Sequence, residues 1–111
     1  MSERYTRLFS LPGNLYAEGA PVAVVAGALL KDKQTGKVLA QLKLKSLSAK
    51  EIRVAKVKVV PYDTVNKQLD GIIHHEYLDL HVSRDQEFGQ KEAFVLSNIS
   101  TRGFSVSVTE V

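Results

Sequence analysis

The sequence predicts an all-β fold: an antiparallel β-sandwich of immunoglobulin-like size with about six to seven strands. Three observations carry that expectation. Apolar residues recur at every second position in several stretches. Turn-forming residues punctuate the chain about every eight to twelve positions. No stretch sustains the roughly 3.6-residue spacing of an amphipathic helix. With 111 residues, 44% apolar and 24% charged, the chain fits a single domain, 1–111, and excludes a disordered chain. The absence of Cys excludes a disulfide scaffold, thiolate zinc and thiol catalysis.

The elements follow in order. Residues 22–30 are almost continuously apolar, with small Ala and Gly among them. That composition suits an inner strand, and Pro21, Gly27 and the β-branched Val22, Val24 and Val25 oppose a helix. Residues 31–37 follow as a turn, with Asp32 near its start and Gly36 near its end, the pattern of a four-residue hairpin loop closing on a left-handed Gly. In 38–45, Val38, Ala40, Leu42 and Leu44 alternate with Leu39, Gln41, Lys43 and Lys45, so one face is dry and the other wet. In 52–60 the alternation slips between Ile52 and Val54 on one parity and Val57 and Val59 on the other. A bulge near 54–56 would return all four to one face. Pro61 closes that strand, 62–71 is a link rich in turn residues, and 72–80 reads as a further strand. Residues 81–92 are polar and irregular, Phe94 and Leu96 mark a short strand, and 104–111 alternates to the last residue, as a domain cut from a longer chain would.

Charge is segregated along the chain. Segment 31–60 carries eight Lys and Arg53 against Asp32 and Glu51, a net of plus seven. Segment 61–92 carries Lys67, Arg84 and Lys91 against seven acids, a net of minus four. If 38–46 and 52–60 form a hairpin, Lys43, Lys45, Lys56 and Lys58 share its outer face, where like charges oppose pairing unless acids of a neighbouring strand or a partner offset them. A protein partner or self-association into a homo-oligomer is the expected use of such a face. Nucleic acid fits it poorly, because the stripe has no interleaved aromatic residue and no Arg cluster. The loop holding Arg84, Asp85, Phe88 and Lys91 mixes the residue types of recognition surfaces, although Phe88 would equally serve as a plug for one end of the core.

Reactive constellations are sparse. All three His lie in 74–81. On an extended strand His75, Asp79 and His81 share a face, which makes them the candidate metal or ligand set. His75 and His81 would lie about 20 Å apart there, so a common metal requires the chain to turn near Asp79. Asp85 and Glu87 are a carboxylate pair of the kind glycosidases use, but there is no Gly-x-Ser-x-Gly elbow and no P-loop. The expectation is a non-enzymatic module without a cofactor. The basic start at Arg4 and Arg7 is followed by no long apolar run before Pro12, so no secretory signal and a cytoplasmic location are expected. No stretch is apolar enough for a membrane span.

Leu11-Pro-Gly-Asn-Leu-Tyr16-Ala-Glu-Gly-Ala-Pro21, Gly27-Ala-Leu-Leu-Lys-Asp32, Tyr77-Leu-Asp-Leu80, Phe88-Gly-Gln-Lys91 and Phe104-Ser-Val106 together resemble an uncharacterised bacterial family over nearly the whole chain. Some of its members carry an additional zinc ribbon. The stretch 43–59 is also similar to the central hairpins of bacterial immunoglobulin-like accessory domains. The resemblance implies a β-sandwich module belonging to a larger protein. It supplies no catalytic residues, and this chain has no Cys for a ribbon.

Overall fold

The computed structural model describes residues 4–11 and 20–111. Met1 to Glu3, and the Pro12 to Gly19 part of the motif that carries the resemblance, lie outside the described residues. The described residues form eight strands and no helix: β1 (Tyr5–Leu11), β2 (Val22–Asp32), β3 (Val38–Ser46), β4 (Ala55–Tyr62), β5 (Ile73–Tyr77), β6 (Glu87–Phe88), β7 (Ala93–Leu96) and β8 (Gly103–Glu110). Two of these, β1 and the two-residue β6, stand outside the alternating stretches of the sequence. β1 is obscured by a register shift between Arg7 and Phe9, which sets Leu8 and Phe9 side by side and breaks the period of two.

All pairings are antiparallel and fall into two sheets. Sheet I has the order β1-β2-β3, with β6 and β7 both pairing the far side of β3. Sheet II has the order β5-β4-β8. Alternate side chains of both sheets enter one core. Leu29, Val38, Ala40, Leu42 and Leu44 come from sheet I, and Ala55, Val57, Val59, Tyr77 and Phe104 from sheet II. Fully burying a Leu or Val contributes about 1.5–3 kcal/mol, so this shared dry layer is what holds the sheets together. Phe9 of β1 meets Phe104 of β8 edge-to-face, with ring centroids 5.4 Å apart. At the opposite margin, β5 meets β6 and β7 through a second group of rings.

The β2–β3 turn follows the sequence closely. The Gly36 amide donates to the Asp32 carbonyl at 2.8 Å, and Gly36 takes φ +76°. Asp32 does more than start the turn. Its carboxylate accepts from the Gln34 amide at 2.9 Å and receives the Arg4 guanidinium through Nε at 3.1 Å and a second nitrogen at 2.8 Å. These hydrogen bonds, with Arg4 foremost, hold the Asp32 carboxyl well below the usual carboxylate range.

Three expectations are corrected. First, β3 and β4 do not form a hairpin. Residues 47–54 carry the chain from one sheet to the other, with the Leu47 amide donating to the Pro21 carbonyl and Ile52 bridging Val82. Second, no bulge restores the phase in 52–60. The strand breaks at 53–54 instead, so Ile52 and Ala55 are buried while Val54 is half-covered. Third, the strand expected over 72–80 ends at Tyr77. Leu78 is 54% exposed and Asp79 turns the chain with φ +54°.

Candidate interaction site

Loop 83–92 is assembled from short-range turns and fastened to β3. The Ser83 amide donates to the Gln86 side-chain oxygen at 2.7 Å, and the Gln86 amide donates back to the Ser83 carbonyl. The Asp85 amide donates to the Ser46 carbonyl at 2.9 Å, and the Ser46 amide to the Gln86 carbonyl at 3.0 Å. Asp85 adopts φ +68°, a left-handed conformation that Asp tolerates better than most residues. β6 then pairs Phe88 with Leu44 and Glu87 with Lys45.

Gly89 is the pivot. It has φ +88°, and a Cβ there would lie 2.8 Å from Leu44 Cδ1, 3.2 Å from the Leu42 carbonyl and 3.2 Å from Tyr77 Cε1. Only a residue without a side chain lets the loop come this close to β3. The chain returns by a turn in which the Glu92 amide donates to the Gly89 carbonyl, while the Gln41 side-chain amide donates to the Gln90 carbonyl.

Beneath the loop, aromatic rings tie the two sheets together. His75 lies flat against Phe94, with centroids 4.3 Å apart and planes 12° from parallel. It meets Tyr77 edge-to-face at 4.7 Å, and Tyr77 meets Phe88 in the same way at 5.9 Å. His75 Nε2 lies 3.2 Å from Glu92 Oε2. The Tyr77 hydroxyl is buried with no hydrogen-bond partner among the described residues. Burial, and secondarily the Glu92 charge, push its phenol far above the ordinary value. Between the end of β5 and the loop lies a cleft of ≈ 320 Å³, lined by Tyr77, Leu80, Glu87, Phe88, Gly89 and residues 90–92.

The structure disperses part of the expected site. Lys43 and Lys45 project from the outer face of sheet I, Lys56 and Lys58 from that of sheet II, so the four do not form one basic stripe. Acids of neighbouring elements meet two of them: Lys43 pairs with Glu87 at 3.2 Å, and Lys56 with Glu110 at 3.3 Å. Phe88 is 6% exposed and packs into the core, so it anchors the loop and does not present a contact surface. Arg84, Asp85 and Lys91 are exposed on the loop.

The proposed ligand set also separates. The chain does turn at Asp79, yet His75 faces Glu92 whereas His81 Nδ1 faces Glu51 at 2.7 Å. Among the described residues no three His, Asp or Glu side chains converge as a metal site, so His75, Asp79 and His81 do not form one. Of the carboxylate pair, Glu87 lines the cleft and Asp85 does not. Glu92 and Tyr77, which shape the cleft, were not singled out by the sequence as site residues. Seventeen positions separate Glu92 from His75, and no local pattern reports that contact.

The fold and this loop define a small all-β domain with a pre-formed, loop-capped cleft. In comparison with known proteins, no family model, no curated protein and no solved structure matched the chain. No helix of the described residues is long and apolar enough to cross a membrane.

Proposed function

We propose that this chain is a non-enzymatic interaction module that recognises a protein partner through the exposed tips of loop 83–92 and the cleft they border. The observation that carries the reading is the anchoring of the loop. Phe88 is sunk in the core, Gly89 lies against β3, and Asp85 and Gln86 are bonded to the backbone of Ser46. Arg84, Gln90 and Lys91 are therefore presented from a fixed frame, which reduces the ordering cost of association. Loops held by a rigid scaffold are where binding residues concentrate.

The same reading takes the two sheets as an immunoglobulin-like β-sandwich. In support, β2, β3 and β7 pair as strands A, B and E do in that fold, and β5, β4 and β8 pair as C′, C and F do. β1 is an addition beside A. Membership of the uncharacterised bacterial family and a cytoplasmic location belong to the same proposal.

Reversing two loop charges, Arg84→Glu with Lys91→Glu, tests the reading. Both side chains are exposed, so the melting temperature should stay within a few degrees while affinity for the physiological partner falls about tenfold or more. Unchanged affinity in the folded double variant would overturn it. A ligand- or metal-binding role for the strand and loop around 75–91 is the second reading. The observation that favours it is that Tyr77, whose buried hydroxyl has no partner among the described residues, lines the cleft.

A further inference from the structure

Three turns meet at the end of the domain remote from loop 83–92. The β2–β3 turn, 33–37, leads into Val38, whose register partner Leu96 ends β7, so this turn adjoins segment 97–102. The Asn98 side-chain amide donates to the Asp70 carbonyl at 3.3 Å, and the Arg102 amide to the Tyr62 carbonyl at 2.8 Å, which ties segment 97–102 to segment 62–72. Loop 83–92 is fastened to residues 44–46, at the other end of β3.

Two of these turns are pinned by side chains, and each holds an apolar residue outward. The Asp63 carboxylate accepts from the amides of Val65 and Lys67, both at 2.9 Å, and Asn66 takes φ +61°. The Asn98 side chain accepts from the Ser100 amide at 3.0 Å, and the hydroxyl of the buried Thr101 donates to the Asn98 carbonyl at 2.6 Å. The Arg102 guanidinium donates to the carbonyls of Ile99 and Thr101. Val65 is 75% exposed and Ile99 64%, the most open of the large apolar side chains among the described residues. Neither turn requires them, since its hydrogen bonds come from Asp63 or Asn98. A single exposed apolar residue is common, but these two stand on adjoining fixed turns among cations. Lys33, Lys37 and Lys67 are exposed, and none of the three is ion-paired among the described residues. Against them stand the exposed Asp70 and Asp63, whose carboxylate is taken up by its own turn.

We infer that this end of the domain docks on a bilayer surface carrying anionic headgroups. Val65 and Ile99 enter the boundary between headgroups and acyl chains, and Lys33, Lys37 and Lys67 meet the headgroups. A bilayer fits the arrangement better than a protein does. Separate apolar tips enter its interface without a matched pocket for each, and a field of anionic headgroups complements cations distributed over three turns. Two short side chains bury little apolar area, so the attachment is peripheral and reversible. It uses the opposite end from loop 83–92, so this inference and the loop reading succeed or fail separately.

Co-sedimentation of the full chain with phosphatidylcholine vesicles containing about one third phosphatidylserine tests the proposal, with circular dichroism and a melt for each variant. The wild type should bind these vesicles about tenfold or more tightly than pure phosphatidylcholine, and less tightly as salt rises. Val65→Ser with Ile99→Ser should weaken binding about fivefold or more. Lys33→Glu with Lys37→Glu should weaken it about tenfold or more. Leu78→Ser, at an exposed apolar position just past the opposite end of β5, should bind as the wild type does. The chain has no Trp, so Ile99→Trp supplies a probe of its own. Its emission should shift to the blue on anionic vesicles, whereas that of Leu78→Trp should not. Failure of the wild type to bind anionic vesicles overturns the proposal. So does binding that survives the loss of both apolar tips, which is charge adsorption alone, or a shift at Ile99→Trp that appears only when a second protein is added.

Discussion

The imidazole of His75 lies parallel to the ring of Phe94 at 4.3 Å, joining the edge of sheet II to the short strand that closes sheet I. The same imidazole reaches Glu92 at the root of the loop. One side chain therefore couples sheet packing to loop position. His75→Ala removes both contacts and should cost about 1–2 kcal/mol of stability. It should also speed amide exchange in 90–92 more than in β2. Equal exchange in the two segments would show that His75 does not hold the loop.

Gly89→Ala tests the pivot. The substituted residue would have to keep φ +88° and place a methyl group 2.8 Å from Leu44 Cδ1. The expected loss is about 1–3 kcal/mol, read from denaturant unfolding. A neutral result would mean that the loop does not need its close approach to β3.

Tyr77→Phe should behave in the opposite way. The hydroxyl is buried without a partner, and an unsatisfied buried donor costs about 1–3 kcal/mol. Removing it should leave stability unchanged or raise it. Clear destabilisation would indicate that the hydroxyl is satisfied in solution, as by an enclosed water.

Asp32 governs the response to acid. Its folded-state pKa is depressed, chiefly by hydrogen bonds from Arg4. The stabilisation is therefore fully present above the unfolded value, about 4, and is lost as pH falls through and below it. Asp32→Asn should be less stable than wild type by a constant margin above about pH 5, and that margin should shrink as the pH drops toward 2. Urea unfolding of both proteins across that range checks it, and a margin that grows on acidification would contradict the assignment.

Strands whose alternation is unbroken, β3 above all, could be read directly, because a period of two reports which side is dry. β1 could not, since its bulge sets Leu8 beside Phe9. The hairpin expected between 38–46 and 52–60 failed for a different reason. Alternation shows which face of a strand is buried, but not which sheet the strand joins. Here contacts such as Ile52 with Val82 direct the chain across. The loop was legible through its mixture of Arg, Phe and Gly. Its cleft was not, because Tyr77, His75 and Glu92 are brought together only by the closing of two sheets.

The proposed function requires loop 83–92 to be the surface a partner meets. Site-specific photo-cross-linking in the native cell tests this, with the probe at Gln90 in the loop or at Val65 in the turn at the other end of β4. A discrete protein adduct is expected from position 90, lost with Arg84→Glu and Lys91→Glu, and none from position 65. The same adducts from both positions, or none from position 90, would contradict it.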